Sequence, residues 1–282
     1  MIGRMFPDSD REKALATYKP RPTDVIISPF GKCGTTWLQQ TFHCLRTRGD
    51  MEFDDISRVV PWIETSVTLG LDINAGQRAN PRGFKSHLAY DDLPKGARYV
   101  VSLRDPRDAL VSMYKFMEGW FMEPATVPME QFVHGWAAGG RYWRHLASWW
   151  AERDNPAVLL FSYEHMCAEP KRHVERLAKF CAIPLDGELL QLALERSSIA
   201  YMLRHKDRFD DLMMRQKSEE LCGLPPGSDS AKVRQGGSGG HRAALSPEIT
   251  AMLDEAWAKQ AAPATGFASY ADLEAALRER GA

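Results

Sequence analysis

At 282 residues, with 44% hydrophobic and 26% charged side chains, the chain holds enough apolar material for a sizeable core and reads as one α/β domain spanning 1–282. Its 36 basic and 37 acidic side chains leave a net charge of −1, which argues against bulk binding of nucleic acid or an anionic membrane while leaving room for a local basic pocket. No apolar run reaches spanning length and residues 1–8 lack the apolar core of a signal peptide, so a cytoplasmic protein is expected. The five cysteines (Cys33, Cys44, Cys167, Cys181, Cys222) are scattered without a C-x-x-C pair, which fits a reducing compartment and argues against structural zinc.

In chain order, 24–28 reads as a buried strand and 35–46 as the helix after it. Residues 50–79 are loop-rich, with a short helix expected around 62–69. Gly83-Phe84-Lys85-Ser86 is a short strand, and Arg98-Tyr99-Val100-Val101-Ser102-Leu103 a longer buried one. Pro106 suits the first turn of a helix running to about Phe116. Helices are expected at 129–137 and 141–151, a strand at 157–162, and helices at 171–181 and 187–196. The Gly- and Pro-rich stretch 223–240 predicts a long flexible loop. Ser246-Pro247-Glu248 supplies an N-cap, a first-turn proline and a first-turn acid for a further helix, and 269–280 is the C-terminal helix. Strands alternating with helices predict a central parallel sheet with helices on both faces. Ligands of such sheets bind at the carboxyl ends of the strands.

Four informative segments fall at those ends. Ser28-Pro29-Phe30-Gly31-Lys32-Cys33-Gly34-Thr35-Thr36-Trp37 joins the first strand to its helix. Backbone N–H groups at a helix start attract an anion, Gly31 and Gly34 allow close approach, Lys32 adds charge, and Thr35 and Thr36 add hydroxyls. The order differs from the G-x-x-x-x-G-K-[ST] phosphate loop, because Lys32 precedes Gly34 and Trp37, a surface for stacking a base, follows the threonines. Cys33 stands where a thiolate would be favoured, but a small residue in a tight loop is the better reading. Lys85 and His87, two apart, share a face, and His87 is suited to take a hydroxyl proton near neutral pH. Arg104, at the end of the third strand, and Ser112, on the next helix, can grip one phosphate together. Ser162-Tyr163-Glu164 closes the fourth strand.

The first segment resembles the 5′-phosphosulfate loop of the cytosolic-type sulfotransferases, Pro-Lys-Ser-Gly-Thr-Thr-Trp, with Gly31 for Pro and Cys33 for Ser. Phe84-Lys85-Ser86-His87-Leu88 resembles the family's Lys-Thr-His-Leu. The run from Arg104 to Ser112 resembles its 3′-phosphate segment, and Arg234-Gln235-Gly236 with Gly239 its late Arg-Lys-Gly-x-x-Gly loop. There Gly240, His241 and Arg242 replace Asp, Trp and Lys. Trp143, His145, Trp149 and Trp150 match the family's Trp-x-x-His-x-x-x-Trp-Trp helix; residues so spaced mostly pack core, and His145 alone is set against the acceptor pocket. Tyr163 and Ser197 fall near the adenine in the family, and Ile199 replaces its stacking Phe. The family's dimer segment is not kept, since Arg242, Ser246, Pro247 and Ala251 occupy its places, which leaves the oligomeric state open.

The resemblance, to a bacterial-looking member of the family, implies a P-loop-like sulfotransferase fold. It further implies transfer of a sulfonate from 3′-phosphoadenylyl sulfate to a hydroxyl or amine of a small, apolar or aromatic acceptor, without a metal. His87 would be the base, with Lys32 and Lys85 supporting charge at the reacting group. Donor contacts would come from Lys32, Cys33, Gly34, Thr35, Thr36, Trp37, Arg104, Ser112, Tyr163, Ser197, Arg234, Gln235 and Gly236. Trp62, Lys85, His87, Phe116, Trp120 and His145 would face the acceptor. Two alternatives stand beside this reading: a nucleotide kinase with an irregular phosphate loop, and a non-catalytic nucleotide-binding module of the same fold. Against the kinase, the third strand ends in Arg104 rather than in an Asp that could hold Mg²⁺.

Overall fold

Four parallel strands lie in the order β2-β1-β3-β4 in the computed structural model, which describes residues 6–223, 232–234 and 236–280. They are β1 (Val25–Ile27), β2 (Gly83–Lys85), β3 (Arg98–Leu103) and β4 (Val158–Ser162). Side chains alternate across the sheet as the pleat requires. Ile26, Tyr99, Val101 and Leu103 enter one core; Val25, Ile27, Val100 and Phe161 enter the other.

Helices α1 (Asp8–Thr17), α2 (Thr35–Thr47) and α3 (Ile56–Val59) precede β2. Helices α4 (Pro106–Trp120), α5 (Met129–Ala138) and α6 (Arg141–Ala151) lie between β3 and β4. The chain continues through α7 (Tyr163–Ala168), α8 (Pro170–Phe180), α9 (Gly187–Arg196), α10 (Ile199–Arg204) and α11 (Leu212–Cys222). It ends with α12 (Pro247–Ala256), a π turn at Trp257–Ala261, α13 (Ala262–Thr265) and α14 (Tyr270–Arg280). Leu38 and Phe42 of α2, Leu177 of α8 and Leu189 of α9 cover one face of the sheet. Leu110 of α4, Trp143 and Trp149 of α6 and Leu253 of α12 cover the other. Full burial of an apolar side chain of this size contributes about 1.5–3 kcal/mol. A parallel sheet needs both faces covered in this way. No helix among the described residues is long and apolar enough to cross a membrane.

The structure departs from the sequence expectation in places with physical causes. No helix spans 62–69; Pro61 and Trp62 run extended beside β2, with the Lys85 N–H donating to the Pro61 carbonyl at 2.8 Å, and only a 3₁₀ turn follows at Ile63–Thr65. The buried carboxylate of Glu64 holds that turn by accepting from the Ser86 hydroxyl at 3.0 Å and the His87 N–H at 2.9 Å. Helices α1, α7, α10 and α11 were not anticipated. Helix α1 buries Ala14 alone among its residues, so it offers no apolar stripe to read. Of the expected loop at 223–240, residues 224–231 and 235 lie outside the described residues.

Candidate active site

The strand ends and the helix starts that follow them enclose one cavity of about 2080 Å³. Ligand pockets for one drug-sized molecule run to roughly 300–1,000 Å³, so this space takes two such molecules side by side. Among the expected site residues, Lys32, Gly34, Thr35, Thr36 and Trp37 line it from the first loop and Lys85 and His87 from the end of β2. Arg104, Ser112, Tyr163, Ser197, Arg234 and Gly236 line its other stretch, with Trp62, Phe116, Trp120 and His145 around the remaining wall. Gln235 lies outside the described residues. Cys33 does not reach the cavity; its thiol is buried, and burial pushes it up to about 12, which leaves it no nucleophilic role.

The first loop is prepared for an anion. Gly34 is the N-cap of α2 with φ of +94°, and no side chain caps the helix, so its first N–H groups keep their donors for an outside partner. A Cβ at Gly34 would stand 2.9 Å from Cδ2 of Tyr163, so glycine is required both for φ and for space. The Thr35 hydroxyl is buried without a hydrogen-bond partner, an orphan that an anionic oxygen would satisfy. Lys32, itself at φ of +70°, sends its ammonium over the Phe116 ring at 4.6 Å. Burial first, then the charges of Lys232, Arg104 and Lys85, lower its pKa to about 7.

A second cationic locus lies across the α2 start. Arg104 Nη1 donates to the Lys32 carbonyl at 2.8 Å and Nη2 to the Gly237 carbonyl at 3.2 Å, while the guanidinium covers the Tyr163 ring at 4.1 Å. Its Nε is buried without a partner. The Tyr142 hydroxyl donates to the Arg104 carbonyl and the Ser102 hydroxyl to that of Cys33, so core side chains brace both loops. Asp108, in the first turn of α4, accepts from the backbone N–H of Gly239 at 2.6 Å and of His241 at 2.9 Å, and from His241 Nδ1 at 2.9 Å. These bonds fasten the late Gly-rich loop against Arg104. The Ser197 hydroxyl turns back onto the Ala193 carbonyl at 2.6 Å. Trp37 packs edge-on against Tyr163 and tilts against His173, and Ile199, 39% exposed, faces Gly236.

On the opposite wall, His87 Nδ1 lies 2.8 Å from the Pro29 carbonyl. A carbonyl only accepts, so Nδ1 carries the proton and Nε2 presents its lone pair. Burial, followed by the Lys85 charge, lowers the His87 pKa to about 3, so the ring is neutral. Lys85 is 2% exposed, sits 4.0 Å over the Trp62 ring and donates to Asp211 at 2.6 Å. His145 Nε2 lies 2.9 Å from the Ser28 carbonyl, and burial lowers its pKa to about 4. Trp120, Met214, Phe6, Trp62, Phe116 and Phe121 form a small apolar cluster apart from the two main cores. Among the described residues no group of three or more His, Cys, Asp or Glu could hold a metal ion.

Residues 22–265 match the model of the sulfotransferase domain. The chain belongs to the sulfotransferase family. Dog sulfotransferase 1B1 is 31% identical over 204 residues, 67% of this chain and 69% of that one. Human sulfotransferase 2A1 is 30% identical over 213 residues, 71% and 74% of the two chains. Arabidopsis cytosolic sulfotransferase 13 is 26% identical over 272 residues, 90% and 82%. These relatives are mammalian and plant proteins and lend no support to a bacterial look. Among solved structures, retinol dehydratase in complex with androsterone and inactive cofactor PAP superposes with a TM-score of 0.72 at 19% identity, covering 90% of this chain and 84% of that one. A mouse sulfotransferase complexed with PAP gives 0.71 at 18% identity, covering 98% and 95%. At these identities the structural likeness is one of fold: the P-loop-like α/β fold of sulfotransferases.

Several residues of this sulfotransferase's cavity were not anticipated. Asp108 lies within the quoted Arg104–Ser112 run, but its grip on the late loop depends on contacts across 131 and 133 residues of sequence. Asp211 lines the cavity from a segment that carries no motif, and Lys232 lines it from two residues before the Arg234 motif. Glu64, behind the cavity wall, fixes the backbone of His87 through its carboxylate and sits in the stretch where a short helix was expected.

Proposed function

We propose that this sulfotransferase moves a sulfonate from 3′-phosphoadenylyl sulfate to a hydroxyl or amine of a small apolar or aromatic acceptor. The observation that carries the reading is the pairing, in one cavity, of two separate anion loci with a neutral histidine. One locus is Lys32 with the α2 start and the unpartnered Thr35 hydroxyl; the other is Arg104, with Ser112 and Arg234 also lining the cavity. A donor with phosphates at both the 5′ and 3′ positions makes use of both. Gly34, Thr36, Gln235 and Gly236 would contribute backbone around these phosphates, with Cys33 behind them spending its own N–H on the Phe30 carbonyl, and Trp37, Tyr163 and Ser197 would surround the adenine. The retinol dehydratase and mouse neighbours, each crystallised with PAP, support this choice of donor.

In the transfer, His87 Nε2 takes the proton of the acceptor hydroxyl as its oxygen bonds to sulfur. The bond from sulfur to the bridging oxygen breaks, and that oxygen leaves with the electron pair on adenosine 3′,5′-bisphosphate (PAP). Lys32 and the α2 N–H groups stabilise the charge that grows there, and Lys85 steadies the sulfonate oxygens. An unliganded imidazole with so low a pKa is a weak base, but the negative charge of a bound donor favours its protonated form. Catalysis then rests on position and field, with cationic side chains in place of a metal. The apolar cluster around Trp62, Phe116 and Trp120, with His145 beyond it, would hold the acceptor. Retinol and androsterone, bound in the retinol dehydratase structures, are apolar molecules of that kind.

The whole chain, 1–282, is taken as one sulfotransferase domain working in the cytoplasm. The test is mass spectrometry of acceptor mixtures incubated with enzyme and donor. A sulfonate mass gain that persists in EDTA is expected; a phosphoryl gain from ATP and Mg²⁺ instead would favour the kinase.

A further inference from the structure

Three distant segments meet on the carboxylate of Asp211. Its Oδ2 receives Lys85 Nζ from the end of β2 at 2.6 Å and also contacts Lys232 Nζ from the late loop. Its Oδ1 accepts from the Ser57 hydroxyl at the start of α3. Asp211 is 4% exposed and lines the cavity. Its backbone φ is +51°, a left-handed conformation that only a few residue types tolerate, Asp and Asn among them. Asp55 caps α3 and accepts the Leu212 N–H, which secures the adjoining first turn of α11. Lys232 closes the circle, because its carbonyl accepts from Lys32 Nζ at 3.4 Å.

We propose that Asp211 is a positioning residue for sulfonate transfer: its carboxylate orients the Lys85 ammonium at the cavity wall and ties Lys232 of the late loop to the end of β2. The inference rests on the reading of Lys85 and Lys32 as the cations of the reacting group. Asp211 does its work through Lys85 and Lys232 rather than by touching the sulfonate.

The charges around it give this role a measurable signature. Lys85 faces Asp211, Lys232 and Asp55, with His87 beside it; Lys32 faces Lys232, Arg104, Lys85 and Asp211. Burial lowers Lys85 to about 8 and Lys32 to about 7. Asp211 opposes that fall in both lysines, and Lys232 adds to it. Burial alone would raise Asp211, yet Lys232 and Lys85 hold it well below the usual carboxylate range. The carboxylate therefore stays charged throughout the neutral range and favours the protonated form of both lysines.

The experiment is the pH dependence of kcat/KM for the donor, which reports groups on the free enzyme, with a non-ionising acceptor alcohol. In the wild type this value falls as pH rises past the point where Lys32 and Lys85 lose their protons. Asp211→Asn, which keeps shape and tolerates the left-handed backbone, moves the falling limb to lower pH by about one unit or more. At pH 8 that corresponds to a loss of about tenfold or more. Lys232→Met removes a like charge and moves the limb the other way. A carboxylate that served the fold alone would lower thermal stability and leave the limb where it was, which overturns the inference. If Asp211→Asn does not fold, Lys232→Met decides: an upward shift sustains the inference, and an unmoved or lowered limb overturns it. A wild type that transfers no sulfonate overturns the reading of the reaction and this inference with it. An active wild type whose limb ignores both substitutions overturns this inference alone.

Discussion

Around Lys32, Gly34 and Arg104 the cavity wall consists of the ends of adjacent parallel strands and the starts of their helices, whereas around Phe6, Trp62 and Trp120 it is assembled from irregular turns and helices that meet only through packing. The pairing of β1 with β3 and of β3 with β4 fixes where Gly34 stands relative to Ser102 and Tyr163, so short runs of residues at strand ends encode that wall. The other wall draws on Phe6, on the turn after Trp62, on the end of α4 and on α11. No local motif governs their meeting. The first wall suits a ligand that never changes, and the second can vary its apolar lining without disturbing the sheet. The proposed donor is accordingly read from motifs, while no motif names the acceptor.

Substitutions can break this division of labour. The largest effect is expected for His87→Ala, which sits where the two walls meet. Turnover should fall by ~10²–10⁴-fold while PAP affinity stays within a few-fold of wild type. Turnover and calorimetry on the same preparation check this, and near-normal turnover would remove His87 as the base. Lys32→Met keeps the stem against Phe116 and deletes the charge. Donor kcat/KM should drop by ~10²–10³-fold, comparable to loss of one oxyanion donor elsewhere. An active Met variant would mean that the α2 start alone supports the leaving phosphate. Asp108→Asn tests whether the late loop belongs to the donor wall. It weakens a charge-assisted anchor on Gly239 and His241 and should cost about tenfold in PAP affinity. Hydrogen exchange at 236–241 should speed up with it. Unchanged affinity with faster exchange would make the loop an onlooker.

The same contrast explains what could be read beforehand. The β3 strand and helices α6 and α9 fall where the hydrophobic pattern places them, because each presents a clear buried face. The four strand-end segments converge as open α/β sheets require. Hidden from the sequence were Asp211, Lys232 and Glu64, whose importance arises from contacts between segments with no periodic pattern. Helix α11 was missed because Arg215, Gln216, Lys217, Glu219 and Glu220 interrupt its apolar residues. The buried Arg215 is paired with Asp210 and Glu219, so a charged residue occupies a position where the pattern would call for an apolar one. His241 stands where the family's late loop has Trp. In the structure His241 gains the Asp108 carboxylate instead, a compensation visible only once the loop lies beside α4.

The proposed donor requires a second phosphate locus at Arg104, distinct from that at Lys32. Calorimetry of PAP and AMP with wild type and Arg104→Ala measures it directly. An arginine–phosphate bond contributes roughly 1.5–3 kcal/mol, or about one to two powers of ten in affinity. The wild type should prefer PAP strongly, and Arg104→Ala should lose most of that preference through PAP alone, leaving AMP binding unchanged. Equal affinity of the wild type for PAP and AMP would contradict the assignment of a 3′-phosphate site and, with it, the proposed donor.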